Sequence, residues 1–209
     1  GYHVAIKDLE IRGAGNVFGY EQSGQMLQVG LELYNKILAE AISEKTNEKK
    51  RVGSDGVVVV FDQESLISPE YMPSAQDRLR FYQELVGAIN TKDIDDIKKR
   101  IIDQFGVIDK SIENLFLVAR IRLTLAPTPI KKCVIKESVI RFVVKKNINI
   151  KLDLLMKRLE LFSNKNKNKH RFEGGVGGET NIVLENIKDA NLLKTISGFA
   201  GLFSGVLID

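Results

Sequence analysis

The sequence has one cysteine, two histidines, four prolines and no tryptophan in 209 residues. Cys133 alone cannot close an internal disulfide, and with His3 and His170 it supplies too few soft ligands for a four-ligand structural zinc site. A reducing, cytoplasmic setting is therefore expected. No unbroken apolar run exceeds five residues, as in Val57 to Phe61, far below the roughly 18 that a membrane span needs. The opening stretch GYHVAIKDLEIRG has neither the charged start nor the apolar core of a secretion signal, and a chain opening on Gly1 reads as a piece of a longer protein. No Gly-Lys pair occurs, which removes the phosphate loop of NTPases, and in GAGNVFG the last glycine falls one residue late for a dinucleotide fingerprint. Neither Ser54 nor Ser204 has glycine two residues away on both sides, as a hydrolase nucleophile elbow requires.

What is present is the composition of an ordinary globular chain, 44% hydrophobic and 28% charged, long enough for one to two domains. The net charge of +4 conceals a division. Residues 129–173 hold 13 Lys or Arg against 4 Asp or Glu, a local +9, and the rest of the chain carries −5. A basic block can mark a phosphate-binding face, and Arg141, Lys145, Lys146, Lys157 and Arg158 are the candidate phosphate or docking contacts within it. A lysine-rich loop is more often plain solvated surface.

Glycines at 1, 13, 15, 19 and 24 are too closely spaced for a helix, so residues 1–24 read as strand and then loop. Met26, Val29, Leu33, Ile37 and Ala41 recur at helical spacing from Gln25 to Ser43. The polar stretch Ser43 to Gly56 ends in an Asp-Gly turn signal. VVVVF reads as a buried strand. Ser74 with Asp77 predicts a capped helix whose apolar face is Leu79, Tyr82, Leu85, Val86 and Ile89. Thr91 is expected to cap the next helix, which Gly106 ends, and Ser111 to open a third that stops before Pro127. KKCVIK and SVIRFVVK predict a hairpin, Leu152 to Phe162 a helix and SNKNKNKHRF a polar loop. GGVGG is a turn between two short strands, and the tail from Ile187 is a last helix weakened by glycines. The expected fold class is α+β. A short strand-loop-helix segment (1–47) and a linker (48–56) precede a mixed α+β domain (57–209) with a small antiparallel sheet and four to five helices.

The most unusual stretch is DLEIRGAGNVFGYEQSG, residues 8–24. Its acidic-apolar alternation delivers Arg12 into a loop shaped by Gly13, Gly15, Gly19 and Gly24, with Gln22 beside it. A planar guanidinium so held can grip a carboxylate or phosphate through two bonds. On residue chemistry alone a loop pinned by a salt bridge fits as well.

DLEIRGAG followed by a glycine and QSG resembles the translocation motif that follows the helicase core in the RecG-like branch of DNA translocases. Two families share it, the RecG-type branch-migration helicases and the bacterial transcription-repair coupling factors. VGLELYNKILAEAI, YMPSAQDRLRFYQELVGAINTKDIDDIKKRIIDQFG and SIENLFLVARIR resemble the second family's C-terminal part. The resemblance is close over residues 2 to about 125 and weak over 131–209.

It implies that residues 1–47 end a translocase module in which Arg12 and Gln22 couple nucleotide state to movement along double-stranded DNA, supported by Asp8 and Glu10. It implies that 57–209 is a regulatory domain, docked on the parent's own N-terminal repair-helicase-like domain and hiding the surface for the excision-repair damage-recognition ATPase. The parent would use ATP and Mg and displace stalled RNA polymerase, and this piece alone would be inactive as an enzyme. The alternatives left open are a nucleic-acid-binding module built on 129–173 and the tail of a RecG-type helicase.

Overall fold

A computed structural model describes residues 56–175 and 179–207. The segment 1–47, with its motif residues, and the linker as far as residue 55 lie outside them.

Strand β1 (Val58–Phe61) leads through a Pro-containing connection into three helices, α1 (Ala75–Gly87), α2 (Thr91–Phe105) and α3 (Lys110–Leu125). The hairpin β2 (Ile130–Lys136) and β3 (Val139–Val144) follows, then α4 (Leu152–Asn166), strands β4 (Lys169–Gly174) and β5 (Thr180–Glu185), a short 3-10 turn, and α5 (Leu192–Gly201). The five strands form one sheet in the order β1-β2-β3-β5-β4. All neighbours are antiparallel except β1 and β2, whose parallel pairing uses the three-helix segment as its crossover. The expected α+β class with a small sheet and five helices is thus what the structure has, the sheet being antiparallel except at the β1–β2 pair.

Side chains alternate across the sheet, so register assigns two faces. Val59, Cys133, Phe142 and Ile182 lie in one row and Phe61, Ile135, Ile140 and Leu184 in the next. All eight are buried, and all belong to the core cluster that they share with the helices. Phe142 stacks on Phe199 of α5 with ring centroids 3.8 Å apart, and Phe199 meets Phe203 edge-on at 5.4 Å. The opposite face carries Val60, Val134, Arg141, Val183 and Arg171 in one row. None of these belongs to the core cluster.

The helix starts differ from expectation in their caps. Ser74 does cap α1, its hydroxyl accepting from Asp77 N–H at 3.2 Å. The reciprocal capping box lies one helix later, where Asn90, not Thr91, accepts from Asp93 N–H and Asp93 in turn accepts from Asn90 N–H. Asp109, not Ser111, caps α3. Ser111 instead holds Leu66, accepting from its N–H at 2.7 Å and donating to its carbonyl at 2.8 Å. Ile89 stands exposed after the end of α1, and Phe81 and Arg78 occupy the buried face with Tyr82, Leu85 and Val86. Most of the expected lysine-asparagine loop is ordered: α4 runs to Asn166 and β4 begins at Lys169. No helix among the described residues is long and apolar enough to cross a membrane.

Candidate functional site

The coupling candidates Arg12, Gln22, Gly13, Gly15, Gly19 and Gly24 lie outside the described residues. The five basic candidates lie within them, and the structure does not gather them into one pocket. Arg141 projects from β3 onto the face away from the helices, where its guanidinium donates to Glu173 at 3.0 Å. Lys145 and Lys146 follow the end of β3, the Lys145 backbone N–H being bonded to Pro129. Lys157 and Arg158 belong to α4. Arg158 donates to the carbonyls of Leu202 and Ser204 at 3.0 and 2.6 Å, satisfying groups left open just past the end of α5. Its guanidinium is committed to the fold.

The face carrying Arg141 has a definite construction. Glu173 is shared between Arg141 and Arg171, and Arg171 reaches Glu185 as well. Lys131 pairs with Glu179 toward one end of the same sheet. The hydrogen bond from Arg171, followed by the charge of Arg141, holds the Glu173 carboxyl below its ordinary range. Lys131 does the same for Glu179, with Lys146 and Lys132 adding to it by charge. Beneath these charged heads lie Val143 and Val183, both buried and both outside the main core cluster. Arginine stems cover apolar surface in this way while their heads stay in water. The middle of this face is therefore charged, with Arg141 on the central strand, and its partly exposed apolar side chains, Val134 and Val60, lie toward the β1 edge.

Among the described residues, catalytic chemistry finds no comparable arrangement. Among the described residues no group of three or more His, Cys, Asp and Glu could hold a metal ion. Burial pushes the Cys133 thiol far up and leaves it a neutral core side chain rather than a nucleophile. The depression lined by Asp62, Gln63, Glu137, Ser138, Ile187 and Asp189 is explained by structural bonds. Asp62 accepts from Glu137 N–H at 2.7 Å and so ties the end of β1 to the β2–β3 turn, while Gln63 donates to Asp189.

Sequence reasoning missed the carboxylate side of this surface. Glu173, Glu179 and Glu185 sit 32 to 48 residues from the cations they serve or on a neighbouring strand, and only register brings them together. The alternation of charge along β4, Lys169, Arg171, Glu173, was the signal available.

Comparison with known proteins follows the same outline. The TRCF domain family model matches residues 61–155. A transcription-repair-coupling factor of Buchnera aphidicola subsp. Acyrthosiphon pisum (strain APS) is 37% identical over 127 residues, covering 59% of this chain and 16% of that protein. One of Escherichia coli (strain K12) is 32% identical over 155 residues, covering 71% and 14%. The chain therefore spans about a seventh of the length of these relatives. A crystal structure of the C-terminal domain of transcription-repair coupling factor superposes with a TM-score of 0.57 at 14% identity, over 72% of this chain and 92% of that one. At that identity the match shows the fold.

Proposed function

We propose, starting from a chain that belongs to the transcription-repair-coupling factor family, that residues 57–209 form a regulatory docking domain rather than a working part of the motor. The supporting observation is the sheet face bearing Val134, Val183, Arg141 and Arg171. Its middle is a charged network in which Arg141 and Arg171 share Glu173, its partly exposed valines Val134 and Val60 lie toward the β1 edge, and none of these residues belongs to the main core cluster. In the parent protein its occupant would be the N-terminal repair-helicase-like domain, and docking would hide the surface for the excision-repair damage-recognition ATPase. The parent would use ATP and Mg to move on double-stranded DNA and displace stalled RNA polymerase. Arg12 and Gln22 would couple the nucleotide cycle to that movement, in a loop shaped by Gly13, Gly15, Gly19 and Gly24.

Tethering raises the effective concentration of a docked domain to roughly millimolar, so even a weak interface stays closed most of the time and a competing partner can still open it. Ending the parent chain near Ser54 should raise its basal ATPase and its affinity for the repair ATPase. A truncated parent equal to the intact protein in both would end the regulatory reading.

A further inference from the structure

The fold sorts the cations of the basic block into two kinds. Its arginines are engaged: Arg141 and Arg171 in ion pairs, Arg158 on the carbonyls after α5. Lys157, Lys165, Lys167 and Lys169 are all exposed, and among the described residues none of the four makes a side-chain hydrogen bond or ion pair. Lys157, Leu161 and Lys165 follow one another at four-residue steps, so they form one outward row along α4, about 12 Å from first to last. The helix then closes in a tight turn, with Lys167 N–H bonded to Asn164 and Asn168 N–H to Ser163 at 3.0 Å. This carries Lys167 and Lys169 round the corner at alternate positions. Lys167 is held left-handed at φ 56°, a place where glycine or asparagine is preferred, although asparagines flank it on both sides. Asp153 and Glu160 are the only carboxylates on α4.

We infer that this α4–β4 corner contacts the phosphate backbone of a nucleic-acid duplex. Four flexible point charges suit phosphates read without regard to sequence. A protein partner fits less well, because lysine is depleted at the centre of protein interfaces and Leu161 is the one exposed apolar side chain within the row. Single strands fit less well too: Phe172 is the only exposed large aromatic among the described residues, too little for a stacking platform.

The 209-residue chain is titrated into a fluorescent duplex between about 50 and 200 mM salt. Four phosphate contacts predict a log-log salt slope near −3.6 and so a loss of about a hundredfold across that range. Changing Lys157, Lys165, Lys167 and Lys169 together to Gln should remove most of that slope, and the pair Lys157→Gln with Lys165→Gln about half of it. A control with Lys92, Lys99, Lys110 and Lys188 changed to Gln alters net charge equally and should bind as the parent sequence does. Lys167→Gly should raise the melting temperature yet shallow the slope by about one, separating the charge from the fold. The inference is overturned if the control loses as much as the corner variant, or if the intact chain does not bind duplex at 50 mM salt. It is overturned equally if polyglutamate competes as well as duplex, the result expected of an acidic protein partner. Any of these outcomes leaves the docking proposal standing, because that is read from the parent's ATPase.

Discussion

The ring of Phe162 on α4 lies so close to Gly198 on α5 that a Cβ added there would meet its Cε2 at 2.8 Å. The glycine thus sets the approach of the two helices. In an ordinary helix Gly→Ala stabilises by up to about 1 kcal/mol, but here the added methyl must push a partly buried aromatic ring, at a cost of roughly 1–3 kcal/mol. Gly198→Ala should therefore lower the melting temperature. Gly201→Ala, three residues on in the same helix with nothing within 4 Å of the new Cβ, should leave it unchanged or raise it. Thermal unfolding of the two variants decides it, and equal shifts would show that the helix approach is not limited by Gly198.

The capping box at the start of α2 gives a second contrast. Asn90 accepts from Asp93 N–H at 3.0 Å, whereas Thr91 is simply the first residue of the helix. Asn90→Ala should cost about 1 kcal/mol, and Thr91→Ala no more than a few tenths. Denaturant unfolding of both variants would reverse the assignment if Thr91 proved the costlier.

The same pair shows how far the sequence could be read. Thr91 and Asn90 both suit a cap, and only the backbone turn selects between them. The elements that were legible bury a face: the hairpin residues Cys133, Ile135, Ile140 and Phe142, and the α5 series Leu192, Ile196 and Phe199 with Phe203 just after it. The parallel pairing of β1 with β2 left no local mark, since it depends on a partner some 70 residues away. A strand before GGVGG was expected, but the end of α4 and the first residues of β4 read as loop because they are mostly exposed, and an exposed edge strand such as KHRFEG needs no apolar alternation. At the candidate surface the cations were visible as a charge excess. That Arg158 serves the carbonyls of Leu202 and Ser204 was not, because contacts over 44 and 46 residues are set by tertiary packing.

Tyr82 links stability to alkaline pH. Burial pushes its phenol up from 10.0 to about 12, offset in part by the hydrogen bond from Ile67 N–H and by the charge of Arg78. A folded-state pKa above the unfolded one means that the neutral phenol favours folding. That contribution is complete below pH 10.0 and is lost as pH rises toward about 12. Tyr82→Phe should cost about 1–3 kcal/mol near neutrality, because the buried Ile67 N–H loses its acceptor. The difference in unfolding free energy between parent and variant should then shrink between pH 10 and 12. A difference that stayed constant over that range would show that Tyr82 does not drive the alkaline loss.

Ser111 tests how the strand-to-helix connection is fastened. Its hydroxyl serves both backbone groups of Leu66 across 45 residues, and Asn114 one turn later donates to the Glu64 carbonyl at 2.7 Å. These bonds fix residues 64–66 to the start of α3. Ser65 is fully buried there, and Ile67 beside it is 2% exposed. Ser111→Ala strands both Leu66 groups in a part-buried site and should cost about 1–3 kcal/mol, more than the roughly 1 kcal/mol expected for Asp109→Ala at the cap itself. Hydrogen exchange gives the sharper check. Loss of protection at the Leu66 amide in Ser111→Ala, with the sheet amides of β2 and β3 still protected, would mean that the hydroxyl fastens this connection locally. Uniform loss across the sheet would instead make Ser111 part of the global folding core, and an unchanged Leu66 amide would show that the bond is not made in solution.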